Sequence, residues 1–336
     1  MDPLTHGLTG TMAAMAFTDE NDRNRPAIIG AAAAMLPDIE AFIQAPGDPL
    51  FNLEIHRQFT HSLIFIPVGA LVAATLFWLI FRKQVSFSYI YLFSIAGYST
   101  HWFMDLITSY GTELLWPFVD TRFALNIVSV VDPIITGGML IFTSLALFKS
   151  HTRFLAAAWL WLSLFLLLGW MQNNRASSAM QQLASGQHHI IESGVVKPTI
   201  GNQLVWRATY ISRDSVYTDA IRTGLFSGIQ IYEGESEPLI SVEEDFEAIE
   251  GTTLYRDLKR FSRLSDGFLV RHPNRPEIIG DAAYSMLPTS LIPLWGVEAD
   301  TSNPGSHVTF HYFRDASDDI REPFIDMLLG RKIGDD

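Results

Sequence analysis

Apolar residues form long unbroken stretches in the first half of the chain and short alternating ones in the second. Four runs are close to the roughly 20 residues that cross a bilayer as a helix. They are 61–81 (HSLIFIPVGALVAATLFWLIF), 87–108 (FSYIYLFSIAGYSTHWFMDLIT), 127–148 (IVSVVDPIITGGMLIFTSLALF) and 154–170 (FLAAAWLWLSLFLLLGW). Two shorter runs, 4–17 and 26–36, precede them and read as thin helices packed in the bundle or as a re-entrant pair. After Trp170 the stretch 171–187 turns polar and suits a linker or an exposed helix extension. From about residue 190 the pattern alternates, and VWRATYISRDSVYTDAIRTG reads as strand–turn–strand. A helix is predicted over 243–262, with further strands at 267–271, 278–285 and 307–313. The pattern therefore predicts an α-helical membrane bundle over 1–170, made of four long spans plus two short N-terminal helices. A linker over 171–187 and a soluble α+β domain over 188–336 follow.

Composition supports a membrane setting. The 336 residues are 48% hydrophobic and 18% charged, with a mean hydropathy of +0.18, too apolar for an ordinary soluble protein. The net charge of −13 gathers no basic patch, so nucleic acid is not expected as a partner. Cysteine is absent, which excludes disulfides and thiolate metal sites and leaves imidazole and carboxylate as metal ligands. Met1-Asp2-Pro3 has no basic region ahead of the first apolar run and does not read as a signal peptide.

Lys and Arg give an orientation. Arg23 and Arg25, Arg82 and Lys83, and Lys149 and Arg153 fall on one side of alternating crossings, read as cytoplasmic; Arg57 and Arg122 fall on the other. This expectation places the N-terminus, the 37–60 and 109–126 loops and everything after residue 170 outside. In a bacterial inner membrane, outside is the periplasm.

Ionisable residues within or beside apolar spans are costly and mark function. Five motifs hold them: Thr5-His6-Gly7, Leu36-Pro37-Asp38, His56-Arg57-Gln58-Phe59-Thr60-His61-Ser62, His101-Trp102-Phe103-Met104-Asp105 and Val131-Asp132-Pro133. The crossings bring His6, Asp38, His61, His101 and Asp105 to one membrane face, with His56 in the adjoining loop. His101 and Asp105 are i,i+4 and share a helix face. Zinc accepts such ligands, and six of them exceed the three that a mononuclear catalytic site uses, so one or two ions are expected. Bland readings stand beside these. His6 alone fits a surface residue, Pro37-Asp38 a turn, Asp132 a helix cap and Arg57 an interfacial anchor. His188, His189, His272, His307 and His311 lack ligand spacing and read as structural or exposed; His151 sits with Lys149 and Arg153 on the inner side.

The ordered set Thr-His-Gly, Leu-Pro-Asp, His-Arg-x-x-Thr-His-Ser and His-x-x-x-Asp, followed by Thr108-Ser109-Tyr110-Gly111 and Trp116-Pro117-Phe118, resembles the YdjM-like family over about residues 1–170. Members are described as membrane-bound metal-dependent hydrolases, some under the label LexA-binding, inner membrane-associated. The resemblance implies that His6, Asp38, His56, His61, His101 and Asp105 are the matching positions. A more distant likeness is to the zinc-dependent phospholipase C and single-strand nuclease group. This chain departs from that group in lacking a later His-x-x-x-Glu pair and in having membrane-like helices.

The expected function is metal-dependent hydrolysis of a phosphoester or ester on a lipid-linked substrate at the outer membrane face. Arg57 is expected to pair with a phosphate, and Glu54 or Asp132 to serve as base or to support the ligands. The rival expectation is a non-enzymatic membrane protein with a structural metal site or polar network and a partner-binding C-terminal domain. A metal or proton transporter would need ionisable residues down to the inner face, and the long spans lack them.

Overall fold

The computed structural model describes residues 1–19, 22–149 and 152–333; His151 lies outside them. The chain forms two compact units. The first contains residues 1–43, 55–170 and 200–202, and the second 44–54, 171–199 and 203–336.

The first unit is helical. Helix α1 (Pro3–Met15) starts where Asp2 accepts a hydrogen bond from the Thr5 amide at 3.0 Å and Pro3 pre-sets the first turn. Helix α2 (Asn24–Met35) ends at Leu36-Pro37 and passes into a 3₁₀ turn, Pro37–Phe42. A short helix, α3 (Phe51–Ile55), falls in the second unit except for its last residue, and two 3₁₀ turns, Phe59–His61 and Leu63–Phe65, then lead to α4 (Ile66–Phe81). Then come α5 (Phe87–Leu106), α6 (Pro133–Lys149) and α7 (Thr152–Gly186).

Two segments, Leu63–Phe81 and Thr152–Gly186, are long and apolar enough to cross a membrane, while α6 is apolar but shorter. The other expected spans are helical but differ from expectation for identifiable reasons. Ser94, Ser99, Thr100, His101 and Asp105 dilute the hydropathy of α5. The run 127–148 becomes helical only at Pro133, because the Asp132 carboxylate caps the amides of Ile134 and Ile135 at 3.0 and 3.3 Å.

Helices α1, α2 and α5 pack at near backbone contact. A Cβ at Gly10 or at Gly97 would overlap the Gly30 carbonyl oxygen, so glycine at these crossings sets the helix spacing. A second close approach seats the Tyr98 ring against Gly69, and the Tyr98 hydroxyl donates to the Thr60 carbonyl at 2.7 Å. These contacts place α2, α5 and the 59–61 turn around one buried point.

The second unit is rich in β-sheet. Strands β1 (Ser193–Pro198), β2 (Val205–Ser212), β3 (Ser215–Thr223), β4 (Ile229–Tyr232) and β5 (Ser236–Pro238) form an antiparallel sheet in the order β1-β2-β3-β4, with β5 also on β3. The predicted strand–turn–strand is β2–β3, turned at Arg213-Asp214. The stretch 171–186 is the second half of α7, and its Ala176, Ala179, Met180 and Ala184 pack on Trp206, Ala208, Tyr210 and Ile221. The helix expected over 243–262 divides into α8 (Val242–Asp245), a 3₁₀ turn and α9 (Thr253–Leu264), which Thr252 caps after Gly251. Strands β6 (Leu269–His272), β7 (Arg275–Asp281), β8 (Trp295–Glu298) and β9 (Thr309–Tyr312) form an antiparallel meander. Helix α9 packs on the meander through Leu254, Leu258 and Phe261. Helix α10 (Asp318–Leu329) ends at Gly330 in the left-handed conformation, with φ +74°.

Residues 44–54 belong to this second unit. Leu50 lies in the α9 core, and Arg260 binds Glu54 at 2.9 and 2.7 Å and Asp48 at 3.0 and 2.9 Å.

The glycine crossings predict opposite outcomes for two substitutions. Gly97→Val drives a side chain into the α2 backbone and is expected to cost at least the roughly 1–3 kcal/mol of core overpacking. Gly137, in α6, has nothing within 4 Å of an added Cβ. Gly137→Ala is expected to be neutral or to stabilise by about 0.5–1 kcal/mol. Thermal unfolding of both variants in detergent checks this; equal effects would refute the close-packing argument.

Candidate metal centre

Four side chains from one helix and two 3₁₀ turns meet in the first unit. Asp38 comes from the turn after α2, His61 from the Phe59–His61 turn, and His101 and Asp105 from successive turns of α5. One ligand atom from each lies within 4.8 Å of all the others. His61 Nε2 is 3.2 Å from Asp105 Oδ2 and 3.6 Å from Asp38 Oδ1. His101 Nε2 is 3.5 and 3.6 Å from the same two oxygens. The two Nε2 atoms face each other at 2.8 Å. Tetrahedral zinc with bonds of about 2.0–2.1 Å sets its ligand atoms roughly 3.3 Å apart, within the spread of these distances.

Both tautomers follow from the hydrogen-bond network. His101 Nδ1 donates to the Ala34 carbonyl at 2.6 Å, and His61 Nδ1 donates to Glu40 Oε1 at 2.9 Å. Each Nε2 therefore presents a lone pair to the centre, where the two carboxylates also present only acceptors. Four acceptors converging without a donor require a cation or an added proton. Asp105 Oδ2 is buried and lacks a hydrogen-bond partner, as do both ring nitrogens of His6. These orphaned atoms and the donor set fit a metal ion.

Supporting residues surround the four. His6 stacks on His101 with centroids 3.8 Å apart, and its Nε2 is 3.3 Å from Asp105 Oδ1. Arg57 Nη2 is 3.2 Å from that oxygen, and Arg57 Nη1 donates to Thr108 Oγ1 at 3.2 Å. The Met1 ammonium also pairs with Asp105. Arg57 is buried and pairs with Asp105, bracing that carboxylate. Its φ of +67° is held from both sides, by Glu40 accepting from its amide and by the Glu113 amide donating to its carbonyl at 2.9 Å. His56 is outside the group of four, partly exposed, with Nδ1 3.7 Å from Glu40 Oε1. Burial, then the Arg57 charge, push His56 down to about 4, so its ring is neutral at pH 7.

Two expected residues are not brought to this group. Glu54 is in the second unit, paired with Arg260 and with Arg263 at 3.0 Å. Asp132 caps α6, in line with its bland reading. Sequence reasoning misses Glu40, which is fully buried and accepts from His61, Thr60 and the Arg57 amide. The signal available is an acid two residues beyond Asp38, in a turn already chosen as a ligand source. In the second unit Asp48, Asp257 and His307 are also within 4.8 Å of one another. The Arg260 guanidinium already bonds both of those carboxylates there, which leaves that trio a structural ion cluster.

Comparison with known proteins agrees with the motif order. A model of the YdjM inner membrane protein family matches residues 1–176. The chain belongs to the YdjM inner membrane protein family. It is similar to the uncharacterized protein YfhP of Bacillus subtilis (strain 168), with 27% identity over 142 residues, 40% of this chain and 43% of the relative. The match thus spans less than half of that relative's length. No solved structure matches the chain.

The donor set predicts the metal content of purified protein by elemental analysis. The intact chain is expected to hold zinc or a similar divalent ion, and His101→Ala and Asp105→Ala to lose it. Glu40→Gln should weaken binding about 10–100-fold through the loss of ligand orientation. Glu54→Ala and Asp132→Ala should retain the ion. A metal-free intact protein would remove the centre from consideration.

Proposed function

We propose that this YdjM-family chain is a membrane-bound, metal-dependent hydrolase acting on a phosphoester or ester of a lipid-linked substrate. In this reading the long apolar runs form four spans, and the site and residues 188–336 lie on the periplasmic side. The observation that carries it is the convergence of four acceptor atoms, from Asp38, His61, His101 and Asp105, in an apolar bundle.

A bound ion would lower the pKa of a coordinated water and polarise the ester. Asp105 Oδ1 already carries Arg57, so the donor set favours one ion, held through Asp105 Oδ2. Asp38 is the ligand nearest to solvent, at 28% side-chain exposure, and marks the side from which substrate enters. Glu40 and the Ala34 carbonyl keep both imidazoles aimed inward. His56, neutral and partly exposed beside Glu40, is placed to move a proton between the site and water. It takes the role expected of Glu54.

A second reading has its own support. His6, His61, His101 and Asp105 are essentially inaccessible, and a closed site with all its positions filled by protein is the mark of a structural ion.

Turnover in nanodiscs separates the two. Phosphomonoester, phosphodiester and carboxyl-ester lipids would be supplied with zinc. The hydrolase reading expects release from one class, abolished by His101→Ala. His56→Ala should lower kcat about 10²-fold or more while leaving bound metal unchanged. Tight metal binding, a Tm that falls on chelation and no turnover of any class would select the structural ion.

A further inference from the structure

The β3–β4 hairpin of the second unit has an apolar tip that its own core does not use. Phe226 is fully exposed, and Leu225, Ile229 and Ile231 are 52%, 43% and 40% exposed. Ile229 and Ile231 alternate along β4 and extend the tip into a stripe. A protein surface exposes such a contiguous set where it meets an apolar partner.

The tip is tied to a specific place on α7. Gln172 Nε2 donates to the Thr223 carbonyl at 2.6 Å. Arg175 Nη1 donates to the Gly224 carbonyl at 2.8 Å and its Nη2 to the Ser227 carbonyl at 3.3 Å. The apolar run of α7 ends at Trp170, so these anchors are within two helical turns of it, at about 1.5 Å per residue. Residues at that distance from the end of a span are at headgroup depth.

The same bonds suit the tip to a poorly hydrated layer. Backbone carbonyls entering such a layer need internal partners. Arg175 supplies them for Gly224 and Ser227, and Arg222 Nη1 donates to Ser227 Oγ at 3.3 Å. Two guanidinium groups thus sit just behind two large apolar side chains, an arrangement that matches lipid phosphate above acyl chain.

We propose that Leu225 and Phe226 insert into the headgroup–acyl boundary beside α7 and hold the hairpin on the lipid surface. The proposal rests on α7 crossing the bilayer and is independent of any hydrolase activity. Its occupant is the lipid leaflet itself.

The chain has no cysteine, so a single Cys accepts one environment-sensitive fluorophore without competition. Full-length Phe226→Cys, Leu164→Cys in the apolar part of α7 and Ser302→Cys in an exposed loop would be labelled and reconstituted in phosphatidylethanolamine/phosphatidylglycerol vesicles. The proposal expects the label at 226 to be quenched by lipids carrying a nitroxide near the headgroup. It should also be several-fold less accessible to aqueous iodide than the label at 302. The label at 164 should be quenched by nitroxides deep in the acyl region. Iodide access at 226 equal to that at 302, with 164 still lipid-quenched, overturns the anchor and leaves the span intact. Absence of lipid quenching at 164 overturns both. A label at 226 hidden from iodide yet not quenched by lipid overturns the anchor in favour of a protein partner or a second copy. Phe226→Asp checks the intact side-chain chemistry: with the label moved to Leu225→Cys, it should restore iodide access there, and unchanged protection would also refute insertion.

Discussion

A carboxylate with no exposed surface, on a helix inside an apolar bundle, is the constraint around which the first unit is arranged. Asp105 has no exposure. A lone charge there would cost many kcal/mol, so it persists only if other groups are drawn in to meet it. His6 arrives from α1, His61 and Arg57 from the 56–61 segment, and His101 from one turn earlier on α5. Glu40 follows because the His61 ring needs an acceptor for its Nδ1, and Asp38 adds a further acceptor that a bound cation would balance. Glu40 thus has a reason to be there that traces back to one buried charge.

That convergence needs helices closer than ordinary side chains permit. Gly10, Gly30 and Gly97 remove the side chains where α1, α2 and α5 cross, and small residues elsewhere on these helices keep the approach close. The Ala34 carbonyl then reaches His101 directly, so a packing feature becomes a tautomer assignment. Gly69 acts in the same way at one remove, since the Tyr98 ring that it admits holds the Thr60 carbonyl and with it the turn that carries His61. Close packing in this bundle is therefore part of the site's chemistry.

How much of this the sequence discloses depends on contrast. Histidine and aspartate stand out against long apolar runs, so Asp38, His61, His101 and Asp105 are legible from the residue pattern, while His6 and His56 rest more on the family resemblance. Glu40 is not, because Pro37–Phe42 is a 3₁₀ turn and neither helical nor strand spacing links residues 38 and 40 to one site. Glu54 is misplaced by a sequence reading because residues 44–54 leave the first unit to pack with α9, a contact more than 200 positions away that no local pattern encodes. Asp132 follows its local chemistry, an acid before proline that caps a helix. In the second unit β2 and β3 are legible by their alternation and the Arg213-Asp214 turn. Strands β5 (Ser-Glu-Pro) and β8 (Trp-Gly-Val-Glu) are too short and too mixed to show any period, and only pairing with their neighbours makes them strands.

The unpaired atoms set the character of the cluster. Two lone pairs facing each other at 2.8 Å, from His61 and His101, are repulsive, and a single shared proton would relieve them. A proton binds along one line, however. It would leave Asp105 Oδ2, buried and without a hydrogen-bond partner, still facing the same point, with Asp38 Oδ1 within 3.6 Å of both rings. An ion with several coordination directions meets all four atoms at once, and their spacing is near that of a tetrahedral set. Arg57 addresses the other oxygen of Asp105, so it divides the carboxylate with such an ion and does not compete for it. The geometry of the orphaned atoms, more than the number of histidines, is what favours a metal over a hydrogen-bond network.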